Sequence, residues 1–481
     1  MNLAMVLDMA ADGLGDRIAI GSRGDGVSFD ALRRLAARVP ARLTAASAST
    51  VALTDRTGPI VPVALFGAAW AGASYAPLNY RLPDHALTQL VERVRPAVVV
   101  DETVAKEWTT DDGDGDAAAS FPEAPERPAI LLFTSGTSAA PKAAVLHHEN
   151  LLSYIFNTVE FASADEDEAV LLAVPPFHVA GVAAVLSSTY AGRRIVPLPN
   201  FSAEAWLRTA REERVTHAFV VPTMLARIVS AMDADPDARV PTLRHLAYGG
   251  ARMPAPVLER ALALLPDTGF VNAYGLTETS STIAVLGPDD HRNAFGADER
   301  ARRRLESVGR PVPGIEVVVA DPDGNALAVG ERGEVLVRGA QVGGGYVDQP
   351  SQLDADGWLH TGDVGWFDDD GYLFVSGRAD DVIIRGGENI SPAEIEDALL
   401  RHPAVTGAAA VGLPDVEWGE RIGAMVTLRP DADDDVDAIV VWARETLGSL
   451  KAPQVIVVTD ELPTTATGKV LRRQVRDELA G

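Results

Sequence analysis

Of the 42 lysines and arginines in this chain only four are lysine, at positions 106, 142, 451 and 469. One of the four closes a segment suited to handling phosphate. Lys142 ends Thr134-Ser135-Gly136-Thr137-Ser138-Ala139-Ala140-Pro141-Lys142, which combines hydroxyls, accessible backbone amides and a terminal ammonium, the groups polyphosphate recognition needs. It is not a Walker A loop, because no GxxxxGK[ST] is present. Lys469 lies in Pro463-Thr464-Thr465-Ala466-Thr467-Gly468-Lys469, near the C-terminus, where a lysine is otherwise simply solvated. Two further segments set a carboxylate among small neighbours. Thr361-Gly362-Asp363 has a shape suited to presenting a carboxylate to a ligand. In Tyr274-Gly275-Leu276-Thr277-Glu278-Thr279 the residues alone read as a helix start, with Thr277 as cap and Glu278 in the first turn. His178, in PPFHVAG, reads by itself as a core histidine satisfied by a carbonyl.

The elements that must position these groups alternate. Strands are expected at 18–20, 27–29, 51–53, 98–100, 129–133, 169–174, 215–221, 243–248 and 270–273, and helices at 31–43 (capped by Asp30) and 84–93. Alternation of this kind implies parallel sheets covered by helices, with function at the carboxyl ends of the strands. Both Gly249-Gly250-Ala251 and Asn272-Ala273-Tyr274-Gly275 fall at such ends. From Ser307 the texture changes to short β stretches, and 361–396 then reads as a working joint. It holds a hairpin turning at 368–371, the pair Gly377-Arg378, Asp380, Gly386-Gly387, and a capping box of Ser391, Pro392 and Glu394. Beyond Asp380 the order is strand, helix 392–401, strands 405–411 and 422–428, helix 436–447 and strand 455–458, a small α+β domain.

Bulk composition excludes several classes. With 481 residues, 47% hydrophobic and 23% charged, the chain can bury a large core in two or more domains. A formal charge of −26 argues against a general nucleic-acid or anionic-membrane binder. The absence of cysteine excludes disulfides, zinc thiolates and cysteine nucleophiles. Met1–Ala10 has no basic stretch of the signal-peptide kind, and the uncharged segment 57–80 is broken by Pro59, Pro62, Gly67, Gly72 and Pro77 into a buried helix and strand. A cytoplasmic protein without a membrane span is the expectation. No GxSxG and no kinase glycine loop occurs, which disfavours a serine hydrolase or phosphotransferase.

Taken together and in order, TSGTSAAPK, YGLTE, TGD, SGR, GGEN, PAEIE and TGK resemble the acyl-adenylate-forming enzymes, in their acid–CoA ligase branch. The resemblance implies an α/β protein, with a large domain (1–377) of two helix-covered, mainly parallel sheets and a β-barrel-like part from about 307. A small mobile α+β domain (378–481) would hinge at Asp380. It implies ATP, Mg2+ and coenzyme A as cofactors. ATP is assigned to Thr134, Ser135, Gly136, Thr137, Lys142, Gly250, Ala251, Asn272, Tyr274 and Gly275, with Asp363 and Arg378 on the ribose. Glu278 would bind the metal, Thr277 would touch phosphate, and Lys469 would bridge the acid and the α-phosphate. His178 would line the acyl pocket, and Gly387 would lie along the pantetheine arm, where backbone without Cβ allows close approach. PPFHVAG lacks the acid that amino-acid-activating relatives carry, so an aliphatic or aromatic monoacid is the expected substrate. Transfer to a carrier-protein thiol or an amine, or a binding-only descendant, stay open, the last because Ala139 and Ala143 stand where glycine is usual. The protein would be a monomer or homodimer.

Overall fold

The computed structural model describes the chain except residues 111–117, 135–140, 236, 295–298, 387, 430–431, 433–435, 466–468 and 481. The architecture has two parts, a large α/β portion built on three sheets and a smaller α+β portion built on a fourth. The largest sheet has nine strands. Its centre is parallel, running through Gly269–Leu276, His245–Gly249, His217–Val220, Ala169–Leu172 and Arg194–Pro197. The second has six strands, with Ile130–Thr134, Ser74–Pro77, Thr50–Leu53 and Ala97–Val100 parallel, and Lys142–Leu146 returning antiparallel. Ala169–Leu172, Thr50–Leu53 and Ser74–Pro77 are buried throughout, as parallel strands covered on both faces must be.

The β-rich stretch forms a four-stranded antiparallel sheet of Ile315–Ala320, Gly333–Gly339, Leu359–Phe367 and Leu373–Arg378. The hairpin expected at 368–371 is present, with the Asp368 carboxylate accepting from the amides of Asp370 (3.0 Å) and Tyr372 (2.9 Å). Beyond it a single turn of 3-10 helix, Ala379–Asp381, leads into the fourth sheet, made of Ile383–Arg385, Glu388–Ile390, Val405–Asp415, Gly419–Leu428 and Val455–Val458. The uncharged segment from 57 is the fully buried helix Ile60–Trp70, and among the described residues no helix is long and apolar enough to cross a membrane.

Three local expectations are corrected. The helix expected over 31–43 is two helices, Phe29–Ala37 and Val39–Ala45, divided before Pro40, which sits in the first turn of the second. Its cap is Ser28, whose hydroxyl accepts from the Ala31 amide, and Asp30 lies within the first turn. No capping box forms at Ser391. Its hydroxyl instead donates to the Ser376 carbonyl at 3.0 Å, and Glu394 pairs with Lys451. Finally, the strand expected to end at Ala273 continues through Leu276, because Ser281–Leu286 folds back beside it. Thr277 and Glu278 are therefore in a hairpin turn, not at a helix start.

Candidate active site

One group of the site residues gathers where the nine-stranded and four-stranded sheets meet. Gly249 and Ala273 are register partners on neighbouring parallel strands, so the Gly250-Ala251 segment leaves the sheet beside Tyr274-Gly275, where the neighbouring strand continues to Leu276. Gly250 has φ +79°, a conformation that favours glycine. At Gly275 a Cβ would sit 1.8 Å from the Ser281 carbonyl oxygen, so only glycine lets the hairpin close. The Asn272 side-chain amide donates to the Ser307 carbonyl at 3.2 Å and thereby ties this strand to the start of the β-rich stretch.

Tyr274 reaches across to the other sheet and donates to Asp363 Oδ2 at 2.5 Å. Asp363 is held from below by its register partner Arg378, whose Nη1 lies 3.3 Å from Oδ1. The same guanidinium donates to the Thr361 carbonyl. Burial raises the Asp363 carboxyl above the ordinary aspartate range, while Tyr274, Arg378 and Lys469 pull it back down. Burial and the adjacent carboxylate push the Tyr274 hydroxyl well above the ordinary phenol range, so it remains a donor. The Lys469 charge helps to hold Asp363 ionised, although the two are 106 residues apart in the chain. The Lys469 carbonyl accepts from the Thr465 amide at 2.7 Å, and its amide donates to the Thr465 hydroxyl at 3.1 Å.

A second cluster surrounds Glu278. The hydroxyl of Tyr346 donates to its Oε1, and the Tyr346 ring lies 5.6 Å from the Lys142 ammonium. Thr134 and Lys142 face each other as register partners on neighbouring antiparallel strands. Ser135, Gly136 and Thr137 lie outside the described residues, as do Ala139 and Gly387. Ala143 is a buried strand residue paired with Phe133, and its amide neighbour Val347 donates to its carbonyl, so extended backbone accommodates its methyl group. Among the described residues no group of three or more His, Asp or Glu side chains converges to hold a metal. A single carboxylate at Glu278 nevertheless fits magnesium, which takes one or two carboxylates and completes its shell with phosphate oxygens and water.

His178 stands apart from both clusters, as the N-cap residue of Val179–Ala191. Its ring lies 4.7 Å from that of Phe177, its Nε2 is buried without a hydrogen-bond partner, and burial lowers its pKa to about 4. The carbonyl-satisfied core histidine is thus not what the fold contains. Asp380 is exposed in the 3-10 turn between the third and fourth sheets. The smaller portion touches the larger through Arg252, which donates to the Ala393 carbonyl (3.1 Å) and pairs with Asp397 (2.5 Å). The contacts of Tyr346 and Arg252 were not legible from sequence. The glycine run before Tyr346 marks close packing, but nothing local couples it to a residue 68 positions away.

The family model for the AMP-binding enzyme matches residues 7–347, and that for the AMP-binding enzyme C-terminal domain matches residues 394–469. The chain belongs to the AMP-binding enzyme family. Feruloyl-CoA synthase of an Amycolatopsis species is 35% identical over 485 residues, covering 95% of both chains. ATP-bound MatB from Rhodopseudomonas palustris superposes with a TM-score of 0.86 at 26% identity, over 99% of each chain. Amide bond synthetase McbA from Marinactinospora thermotolerans superposes with a TM-score of 0.84 at 26% identity, over 100% of each. As a member of the AMP-binding family this chain is an AMP-forming ligase, and the chemistry common to the family is ATP-dependent formation of an acyl-adenylate.

Proposed function

We propose that this chain activates a carboxylic acid with ATP and magnesium and passes the acyl group to the thiol of coenzyme A. In the first half-reaction a carboxylate oxygen attacks the α-phosphorus, the bond to the bridging oxygen breaks, and pyrophosphate leaves. In the second, the thiol sulfur attacks the acyl carbonyl, the bond to AMP breaks, and the thiol proton passes to solvent. The observation that carries this reading is the Tyr274–Asp363–Arg378 cluster, whose buried carboxylate is held from two sides and lies within the electrostatic influence of Lys469. Asp363 would accept from the ribose hydroxyls, and the Lys469 ammonium would act on the α-phosphate and the attacking carboxylate, where negative charge develops. Tyr274 would lie against adenine, Arg378 would hold Asp363 and the ribose, and Gly250, Ala251, Asn272 and Gly275 would shape the nucleotide cleft. Thr134, Thr137 and Lys142 would hold the β- and γ-phosphates, and Thr277 the α-phosphate. Glu278 would hold magnesium, which when bound offsets charge on the departing pyrophosphate.

The acid is assigned to an aliphatic or aromatic monoacid. Val179, Val182 and Val185 lie on one helix beside His178, which burial keeps neutral above about pH 4 and which therefore offers no cation to a second carboxylate. The likeness to feruloyl-CoA synthase supports an aryl acid and coenzyme A as acceptor. Residues 1–377 and 378–481 would act as two domains turning about Asp380, with the Gly387 loop presented to the thiol in the second step. The test is a panel of monoacids assayed for pyrophosphate and for thioester, with and without coenzyme A. Pyrophosphate with any acid, and thioester only when coenzyme A is present, is the expected result. Amide but no thioester when amines are offered would replace coenzyme A by an amine as acceptor. No pyrophosphate with any acid would overturn the reading.

A further inference from the structure

The turn that carries Glu278 is wrapped by one short segment, residues 341–346. Gln341 is buried and its amide nitrogen donates to the carbonyls of Thr279 (3.1 Å) and Thr282 (2.8 Å). The amides of Gly343 and Gly344 donate to the Glu278 carbonyl at 2.8 and 3.4 Å. Tyr346 completes the wrap through its hydroxyl on the Glu278 carboxylate. The turn so held is strained, with Ser280 at φ 56° and Ser281 at φ 122°. Non-glycine residues persist in such conformations only where the surroundings over-determine them. The far end of the same segment pairs with the strand leaving the phosphate loop, Tyr346 opposite Ala144 and Gly345 opposite Val145. Tyr346 therefore has its hydroxyl on Glu278 and its ring 5.6 Å from the Lys142 ammonium.

We propose that Tyr346 is a positioning residue for the metal–triphosphate, fixing the Glu278 carboxylate and the Lys142 ammonium relative to each other through one aromatic side chain. The proposal rests on Glu278 being the magnesium ligand. A cation held by one protein carboxylate depends on that carboxylate's orientation, since phosphate and water supply the other ligands. AMP lacks the β- and γ-phosphates, and its binding should not depend on the tyrosine.

The experiment measures binding by titration calorimetry for wild type, Y346F, E278Q and the double variant, using ATP across a magnesium series and AMP without metal. Phenylalanine keeps the ring beside Lys142 and removes only the hydroxyl. The expected result for Y346F is roughly tenfold weaker magnesium–ATP binding and a higher magnesium requirement, with AMP affinity unchanged. The double variant should be no weaker than E278Q alone, because the tyrosine acts through that carboxylate. Equal losses for AMP and magnesium–ATP would make Tyr346 merely structural and overturn the proposal. Wild-type magnesium dependence in Y346F, with loss in E278Q, would overturn it while leaving the metal assignment standing. An unchanged magnesium dependence in E278Q would remove that assignment, and the proposal with it.

Discussion

Tyr274 and Asp363, 89 residues apart in the chain, share a 2.5 Å hydrogen bond that joins the largest sheet to the four-stranded one. The contact makes one surface from two separately built elements. It also orients a carboxylate that Arg378 holds from the other side at 3.3 Å.

Replacing Asp363 by alanine should act on ATP. A charge-assisted bond contributes on the order of 1.5–3 kcal/mol, so the KM for ATP should rise roughly ten- to hundredfold. The KM for the acid should change little. Steady-state kinetics with each substrate varied separately checks this, and equal effects on both would sink the ribose assignment.

Lys469→Ala should lower the rate of adenylate formation by roughly 10²–10³, the usual cost of losing a group aimed at transition-state charge. Thioester formation from supplied acyl-adenylate should persist. Single-turnover assays of the two half-reactions separate these outcomes, and undiminished adenylate formation would dismiss Lys469 from catalysis.

Asp380→Pro should divide the half-reactions. Proline fixes φ near −65° and restricts Ala379 before it, at the turn that would have to change if the small domain rotates. Adenylate formation should survive while transfer to coenzyme A falls steeply. Pyrophosphate exchange and thioester formation from pre-made adenylate are the two readings. Parallel losses would indicate damage to the fold, and two undiminished rates would place the hinge elsewhere.

Stability should fall on mild acidification. Burial lowers His148 and His178 to about 4 and His217 to about 3, against 6.5 for a free imidazole. Between about pH 6.5 and 4 the unfolded chain thus binds protons that the folded chain does not, and stability drops as pH falls through that window. Asp363, raised by burial, pulls the other way but is a single group. Tm measured across the window should decline, with proton uptake on unfolding. A flat Tm would contradict the burial of these imidazoles.

How much of this was legible in sequence follows the range of the forces involved. The helix Asp84–Arg93 and the strand Val455–Val458 occur where periodicity and apolar runs placed them, because those signals are local. Read from its neighbours alone, Glu278 sits at a helix start, but the fold puts it in a hairpin turn. Its turn exists because Ser281–Leu286 returns beside Gly269–Leu276, a pairing that no window around the turn reveals. Ser391 failed for a similar reason. The local cap was available, but a carbonyl at Ser376, across Asp380, took the hydroxyl instead. The hold of Tyr346 on Glu278 is likewise a product of tertiary packing.

The apolar clusters have a consequence for how the molecule comes apart. Among the described residues, each cluster draws either on residues up to Val375 or on residues from Ile383 onward, and none mixes the two. What crosses between the portions is polar: Arg252 with Asp397, Arg401 with Glu259 at 3.8 Å, and Ser391 with the Ser376 carbonyl. Partly exposed ion pairs contribute little to cohesion and are weakened by salt. Heating the ligand-free protein should therefore give two calorimetric transitions, not one. The smaller, from a body of about 100 residues, should absorb roughly 70 kcal/mol. A nucleotide gripped from both sides would draw the two together, and their separation would report how far the bound molecule bridges them.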